Sequence, residues 1–266
     1  MSDDQFMQLL WQQGEELFRS MPWRETTDPY LVLVSELMLQ QTQVDRVMPK
    51  YAQFIERFPS VADLSEAPLS DVLQVWQGLG YNRRAKFLHM AARYVVERGG
   101  VFPSTYEELV KLPGVGPNTA GAILAYAYNT PVVYVETNIR TVVLHHFFPD
   151  EESVDDRTIR AVVERVLPAD SPRQFYWAMM DYGSFLKRSG VRRNSQSRHY
   201  KKQLPLAGSV REVRGQIVRY LTEEGDVECE KLVRALSADE RFDAALSGLM
   251  RDGLIQQSDN IVYLTK

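Results

Sequence analysis

The stretch that decides the fold is L-P-G-V-G-P-N-T-A-G-A-I-L at residues 112–124, followed by V-E-T-N-I-R at residues 135–140. Helix formers lead in from Tyr106 to Lys111, and Pro113 blocks their continuation. Gly114 and Gly116 are able to take backbone angles closed to other residues, which leaves amides free where the next helix begins. Amides gathered at a helix N-terminus grip phosphate without a side-chain charge, so Gly114, Gly116 and Thr119 are expected to hold a phosphate backbone. Glu136 follows a short way downstream. A phosphate grip with a nearby carboxylate points to chemistry on nucleic acid.

Composition sets the limits around that motif. With 266 residues, 44% hydrophobic and 25% charged, the chain has room for one large domain and a small one, and no stretch approaches a membrane-spanning length. The single cysteine, Cys229, excludes a disulfide framework within the chain and any four-cysteine metal or iron–sulfur site. No opening run looks like a signal peptide, so a cytoplasmic location is expected, on the nucleoid if the source is bacterial. The net charge of −4 is unusual for a DNA binder, but the charge is unevenly placed. Residues 182–211 contain no Asp or Glu and eight bases, among them Arg192 and Arg193, which are expected to contact DNA phosphates. Arg83, Arg84 and Lys86 form a second basic cluster beside Tyr81, read either as a DNA contact or as the solvated face of a helix.

Apolar spacing predicts helices at 4–18, 29–43, 44–58, 69–77, 83–98, 105–112, 119–128, 138–147, 157–166 and 172–186. Residues 187–208 read as a basic linker. Three more helices follow at 210–223, 229–236 and 242–252, then two strands at 254–257 and 261–265 joined by Ser258-Asp259-Asn260. That order resembles a winged-helix module over 209–266. The module carries 11 acids against 8 bases, which makes groove reading through its third helix doubtful and protein contact at least as good a reading.

Two carboxyls stand out chemically. In D-P-Y-L-V-L-V-S-E-L-M-L-Q-Q-T-Q-V, residues 28–44, Glu36 lies about two turns inside its helix, flanked by Leu33, Leu37 and Leu39. An apolar wall favours the protonated carboxyl, and no Lys or Arg occupies the four-residue positions, which are Val32 and Gln40. Glu136 precedes Thr137 and Asn138, residues suited to capping, so the helix start is expected to keep it ionised. Carboxyls in contrasting settings divide into proton donor and anion, as in glycoside hydrolysis.

Together the hairpin, Glu136 and the Glu36 segment resemble the helix-hairpin-helix DNA glycosylases, and within them the MutY-type adenine glycosylases, over roughly residues 9–186. The resemblance implies a mainly α fold of two helical lobes in 1–186, the linker 187–208, and the winged-helix-like α+β module 209–266. It implies a base-excision-repair hydrolase in which Glu36 acts on the leaving adenine; Glu136 would stabilise the positive sugar, transiently bond to it or orient water, with Asn138 as a structural neighbour. Family members carry Asp at the Glu136 position; the extra methylene adds on the order of 1.5 Å of reach, which a shifted backbone or a different substrate would have to absorb. Asn118 stands where bifunctional relatives have a Schiff-base lysine, so a monofunctional enzyme is implied. Gln41 and Tyr81 resemble residues that wedge into the duplex while the target base leaves the stack. Trp23 resembles a residue lining the adenine pocket, with core packing an equal reading. The iron–sulfur loop is replaced by the cysteine-free basic stretch, as in cluster-less relatives, and the family's Nudix-like domain by the short C-terminal module. No cofactor is expected beyond a monovalent cation at the hairpin. The expected partner is double-stranded DNA bearing a mismatch or lesion, engaged by a monomer away from membranes. The leading substrate is adenine opposite G or 8-oxoguanine; the alternatives are thymine or uracil opposite G, and a non-catalytic DNA-binding protein.

Overall fold

Several helix starts in this chain sit where a side chain or a proline answers the first unpaired amides. The computed structural model describes residues 1–191 and 205–265. In α1 (Asp3–Glu16), Ser2 and Gln5 each bond the other's backbone N–H, a reciprocal cap. A 3-10 turn at Pro22–Arg24 precedes α2 (Pro29–Leu39), where Pro29 sacrifices no bond by lacking an N–H. Next come α3 (Val44–Arg57), α4 (Val61–Glu66), α5 (Leu69–Trp76) and α6 (Arg83–Val96). They are followed by α7 (Tyr106–Leu109), α8 (Pro117–Tyr128), α9 (Thr137–Phe147), α10 (Asp156–Val166) and α11 (Pro172–Arg188). From Pro205 the chain continues through α12 (Val210–Glu224), β1 (Val227–Glu228), α13 (Cys229–Ala235), α14 (Phe242–Arg251), β2 (Ile255–Ser258) and β3 (Ile261–Leu264).

The mainly helical architecture agrees with the apolar spacing, and the differences are local. α2 stops at Leu39, four residues before its expected end, because the Arg84 guanidinium takes the carbonyls of Leu37, Met38 and Gln40 and Gln41 turns to φ 57°. α7 is a single turn, ending before the predicted residue 112. α4 had been missed, although Ser60 and Asp63 form a reciprocal cap of the kind that marks a helix start. Also missed was β1, whose two residues are too few to show alternation.

Contacts group the described chain into two compact units. The first holds Met1–Val32, Ser104–Lys111 and the described part of Val115–Lys202; the second holds Leu33–Pro103, Leu112–Gly114 and the described part of Gln203–Lys266. In the first unit α1 and α9 both pack on α11. The approach to α9 requires Gly183: a Cβ there would stand 2.4 Å from the Asn138 carbonyl oxygen. Two residues before Gly183, Asp181 is buried at 2% exposure and accepts from Arg24 Nη1 at 2.6 Å and Arg19 Nε at 2.7 Å. A buried carboxylate is tolerated only with such pairing.

In the second unit α6 lies against α4 and α5, while α12 contacts α5 and α14. The C-terminal sheet has the order β1-β3-β2, antiparallel throughout. Its hairpin closes at the Ser258–Ile261 pair, with Asp259 at φ 47° and Asn260 at φ 69°, the handedness a two-residue hairpin turn needs. Lys86 Nζ, from α6, donates to the carbonyls of Asp252 at 2.7 Å and Gly253 at 3.2 Å, just past α14. Arg214 of α12 pairs with Asp252 at 2.5 Å. Among the described residues, no helix is long and apolar enough to cross a membrane.

Candidate active site

Glu136 is itself the N-cap of α9, a role expected of Thr137 and Asn138, which instead form the first helical positions. Its Oε1 accepts from the N–H groups of Asn138 at 2.6 Å and Ile139 at 3.1 Å, leaving Oε2 outside those bonds. The longer side chain is thereby accommodated by folding back on its own helix start. Its pKa shifts in the direction opposite to that expected from the helix start alone. Loss of hydration pushes the pKa above the ordinary carboxylate value, and this outweighs the two N–H donors and the nearby Lys187 and Arg140, which pull it down. Lys187, near the end of α11, is only partly exposed, and lost hydration lowers its own pKa. Arg140 spends its fork on Asp156, at 3.0 and 2.8 Å.

Two asparagines brace this carboxylate from the same unit. Asn118, exposed in the first turn of α8, donates from Nδ2 to the Val135 carbonyl at 2.8 Å and so fixes the residue before Glu136. Asn138 donates to Met180 Sδ at 3.5 Å, and its Oδ1 is buried without a partner among the described residues. Trp23, at 8% exposure in the 3-10 turn, is buried.

The hairpin glycines differ from one another. Gly114 takes φ 80°, and a Cβ there would lie 2.7 Å from Phe87 Cβ, so glycine is required on both counts. Gly116 corrects the expectation: it caps α8 at φ −89°, ψ 178°, ordinary extended backbone with nothing within 4 Å of a Cβ position. Space, rather than a forbidden angle, is what glycine provides there. Thr119 follows in the first turn, half-buried.

In the second unit, Glu36 sits half-buried on α2, with Val32, Leu33 and Leu37 buried around it. Gln41 and Tyr81 share an unusual property: both are non-glycine residues in left-handed backbone, at φ 57° and φ 48°. Such strain survives only where neighbours enforce it, and it collects at functional sites. The enforcing neighbour is Arg84. Its Nη1 donates to Leu37 O at 2.8 Å, Met38 O at 2.9 Å and Gln40 O. Its Nη2 donates to Thr42 Oγ1 at 3.0 Å, Leu79 O at 3.3 Å and Gly80 O at 3.0 Å. One guanidinium thus ties the loop of Gln41 to the loop of Tyr81.

This removes Arg84 from the expected DNA contacts. It is 7% exposed, its two terminal nitrogens are committed to protein acceptors, and burial lowers its pKa to about 10. Arg83, one residue earlier, remains open with a side chain 59% exposed, a loose ion pair to Asp252 at 3.8 Å and its guanidinium 5.0 Å from the Phe87 ring centroid. Lys86 is also committed to protein carbonyls. Arg192 and Arg193 lie outside the described residues. Arg211, counted in the sequence only within a basic run, donates to the Tyr81 hydroxyl across 130 residues of chain. No local pattern could have revealed that pairing. Among the described residues, no group of three or more His, Cys, Asp or Glu side chains is placed to hold a metal ion.

The chain is similar to known proteins. Residues 34–168 match the family model described as the HhH-GPD superfamily base excision DNA repair protein. The chain is 35% identical over 170 residues to the adenine DNA glycosylase of Buchnera aphidicola subsp. Baizongia pistaciae, covering 63% of this chain and 48% of that protein. It is 33% identical over 260 residues to the adenine DNA glycosylase of Mycolicibacterium smegmatis, covering 90% of this chain and 89% of that one. The chain therefore spans about half the length of the Buchnera relative and nearly all of the mycobacterial one. Among solved structures, a thermostable thymine-DNA glycosylase superposes with TM-score 0.63 at 23% identity, covering 73% of this chain and 91% of that chain. An endonuclease III–DNA complex superposes with TM-score 0.54 at 19% identity, covering 88% and 99%. These two likenesses bear on the fold.

Proposed function

The chain belongs to the HhH-GPD superfamily of base excision DNA repair proteins, and from that premise we propose that it is a monofunctional adenine DNA glycosylase acting on adenine mispaired with G or 8-oxoguanine. The observation that carries the reading is Glu136, a carboxylate fixed by two backbone N–H groups with an amide, Asn118, rather than an amine braced beside it. The choice of adenine draws on the relatives' names and on the Glu36 segment.

In this mechanism the target nucleotide leaves the stack while Gln41 and Tyr81 fill the space. Both are held in left-handed backbone in the free protein, which supports a preset role. Glu36 gives its proton to the departing base as the glycosidic bond breaks and the bonding electron pair leaves with the base. The sugar is left positive at C1′. Glu136 stabilises that charge and then takes a proton from the water that adds to C1′, restoring two neutral products. A carboxylate whose pKa is raised by enclosure is a better base for that second step. Asn118 offers no amine to trap the sugar as an imine, so the strand stays intact. Gly116 and the first turn of α8 leave open space for a phosphate, and Arg83 supplies exposed positive charge.

Duplexes containing A:8-oxoG, A:G, T:G or U:G, incubated with the protein and then treated with alkali, test the proposal. Cleavage at A only after alkali supports it. Release of T or U alone would replace adenine by a pyrimidine substrate, and binding without abasic product would leave a DNA-binding protein.

A further inference from the structure

The C-terminal module reaches the candidate wedge residue directly. Arg211, in the first turn of α12, donates from Nη1 to the Tyr81 hydroxyl, and its guanidinium stands 5.5 Å from the Tyr81 ring centroid. Arg84 stands 5.4 Å from that centroid, so two cations address the ring of a residue already strained at φ 48°. The module is anchored where this contact needs it to be. Lys86 and Arg83, in the first turn of α6 just after Tyr81, engage the end of α14 through the carbonyls of Asp252 and Gly253 and the Asp252 carboxylate. Arg214, one turn beyond Arg211, closes on the same Asp252 at 2.5 Å. The end of α14 is thus tied to protein, in keeping with an acidic module poorly suited to lie in a DNA groove.

We propose that this module supports base extrusion rather than reading sequence, and that Arg211 is a positioning residue that sets the ring and hydroxyl of Tyr81 for entry into the duplex. This rests on the reading of Tyr81 as a residue that enters DNA. A hydroxyl held by a charged donor keeps one orientation, and a ring covered by a guanidinium keeps one rotamer. The wedge therefore meets each base pair already aimed. Arg211 acts through Tyr81 and touches no reacting atom.

The full chain, with Arg211→Met, Arg211→Lys, Tyr81→Phe, Tyr81→Ala and the Arg211→Met/Tyr81→Phe pair, provides the test. Base extrusion is followed by 2-aminopurine fluorescence in place of the target adenine, single-turnover release on A:G, and affinity for matched and mismatched duplexes across a salt series. Arg211→Met is expected to lower extrusion amplitude and release rate roughly tenfold, the scale of one charge-assisted hydrogen bond, without changing affinity for matched DNA. Arg211→Lys, which keeps charge but not the planar fork, recovers part of the loss. Adding Tyr81→Phe to Arg211→Met costs little more, because both act on one contact. Wild-type extrusion in Arg211→Met beside an impaired Tyr81→Ala overturns the proposal. So does an equal loss of affinity for matched and mismatched duplexes with a shallower salt slope, which makes Arg211 a phosphate contact. Wild-type behaviour of Tyr81→Ala removes the wedge itself. If wild-type protein releases no adenine, the substrate reading fails while extrusion still decides the role of Arg211.

Discussion

Replacing Arg84 by Met removes the guanidinium that joins the Gln41 and Tyr81 loops, and the structure sets the size of the effect. Its two terminal nitrogens serve six acceptors, five of them backbone carbonyls. The two nitrogens carry four hydrogens, and at the low end of about 1.5 kcal/mol for a hydrogen bond to a charged group these contribute about 6 kcal/mol. Against this stands the burial of the charge. The pKa is lowered to about 10 chiefly by lost hydration, and at about 1.4 kcal/mol per tenfold change in acidity that costs about 3.5 kcal/mol. The net loss is about 2.5 kcal/mol. Amide hydrogen exchange resolves this locally. Amides in residues 38–43 and 78–84 should exchange roughly a hundredfold faster in Arg84→Met, while those of α9 and α11 keep their wild-type rates. Arg84→Lys should fall between, since an ammonium cannot span both loops. Unchanged exchange in the two loops, or a variant whose only defect is a weaker salt dependence of DNA binding, would refute the reasoning and return Arg84 to the phosphate contacts.

Three further outcomes follow from other parts of the molecule. Glu136→Gln keeps an acceptor for the α9 cap but loses the charge, so single-turnover base release should drop by about 10³-fold with folding intact; a retained rate removes Glu136 from the chemistry. Enclosure raises the Glu136 pKa, so the stability linked to its proton is present at acid pH and lost as pH rises through the folded value. Urea titrations should therefore show Glu136→Gln gaining on wild type as the pH rises above the ordinary carboxylate range, and a constant difference would contradict the enclosure. Gly114→Ala meets both φ 80° and a 2.7 Å clash with Phe87 and should cost about 2 kcal/mol or more, whereas Gly116→Ala should melt like wild type and weaken DNA binding alone. Asp181→Asn leaves Arg24, with 4% of its side chain exposed, without its counter-charge; a loss of about 3 kcal/mol is expected in denaturation, and a neutral result would mean the pair is not buried in solution.

Most helices were legible because each buries one face and that face repeats in the sequence. α2 was legible to Leu39 and not beyond, since its end depends on Arg84, which lies 47 residues from Leu37. Arg83 and Arg84 are indistinguishable as letters; only packing shows that one faces solvent and the other faces carbonyls. Glu136 was recognisable as a residue at a helix start, yet its ionisation depends on how tightly other elements enclose it, which no local pattern encodes. Ser60 and Asp63 were a readable signal that was passed over. Gly116 looked like Gly114 because spacing says nothing about which of two glycines takes the unusual angle.

The bracing of Gln41 and Tyr81 by a single buried guanidinium has a consequence for search. A protein that inspects DNA must test a very large number of sound pairs for each faulty one. A probe that had to order itself at every stop would meet that entropic barrier each time, and the barrier would limit the scanning rate. For the wedge proposed for Gln41 and Tyr81, the ordering would be completed once, when the chain folds. The dwell time at a base pair is then governed by the pair's own readiness to open, which favours mispaired sites before any contact with the base itself.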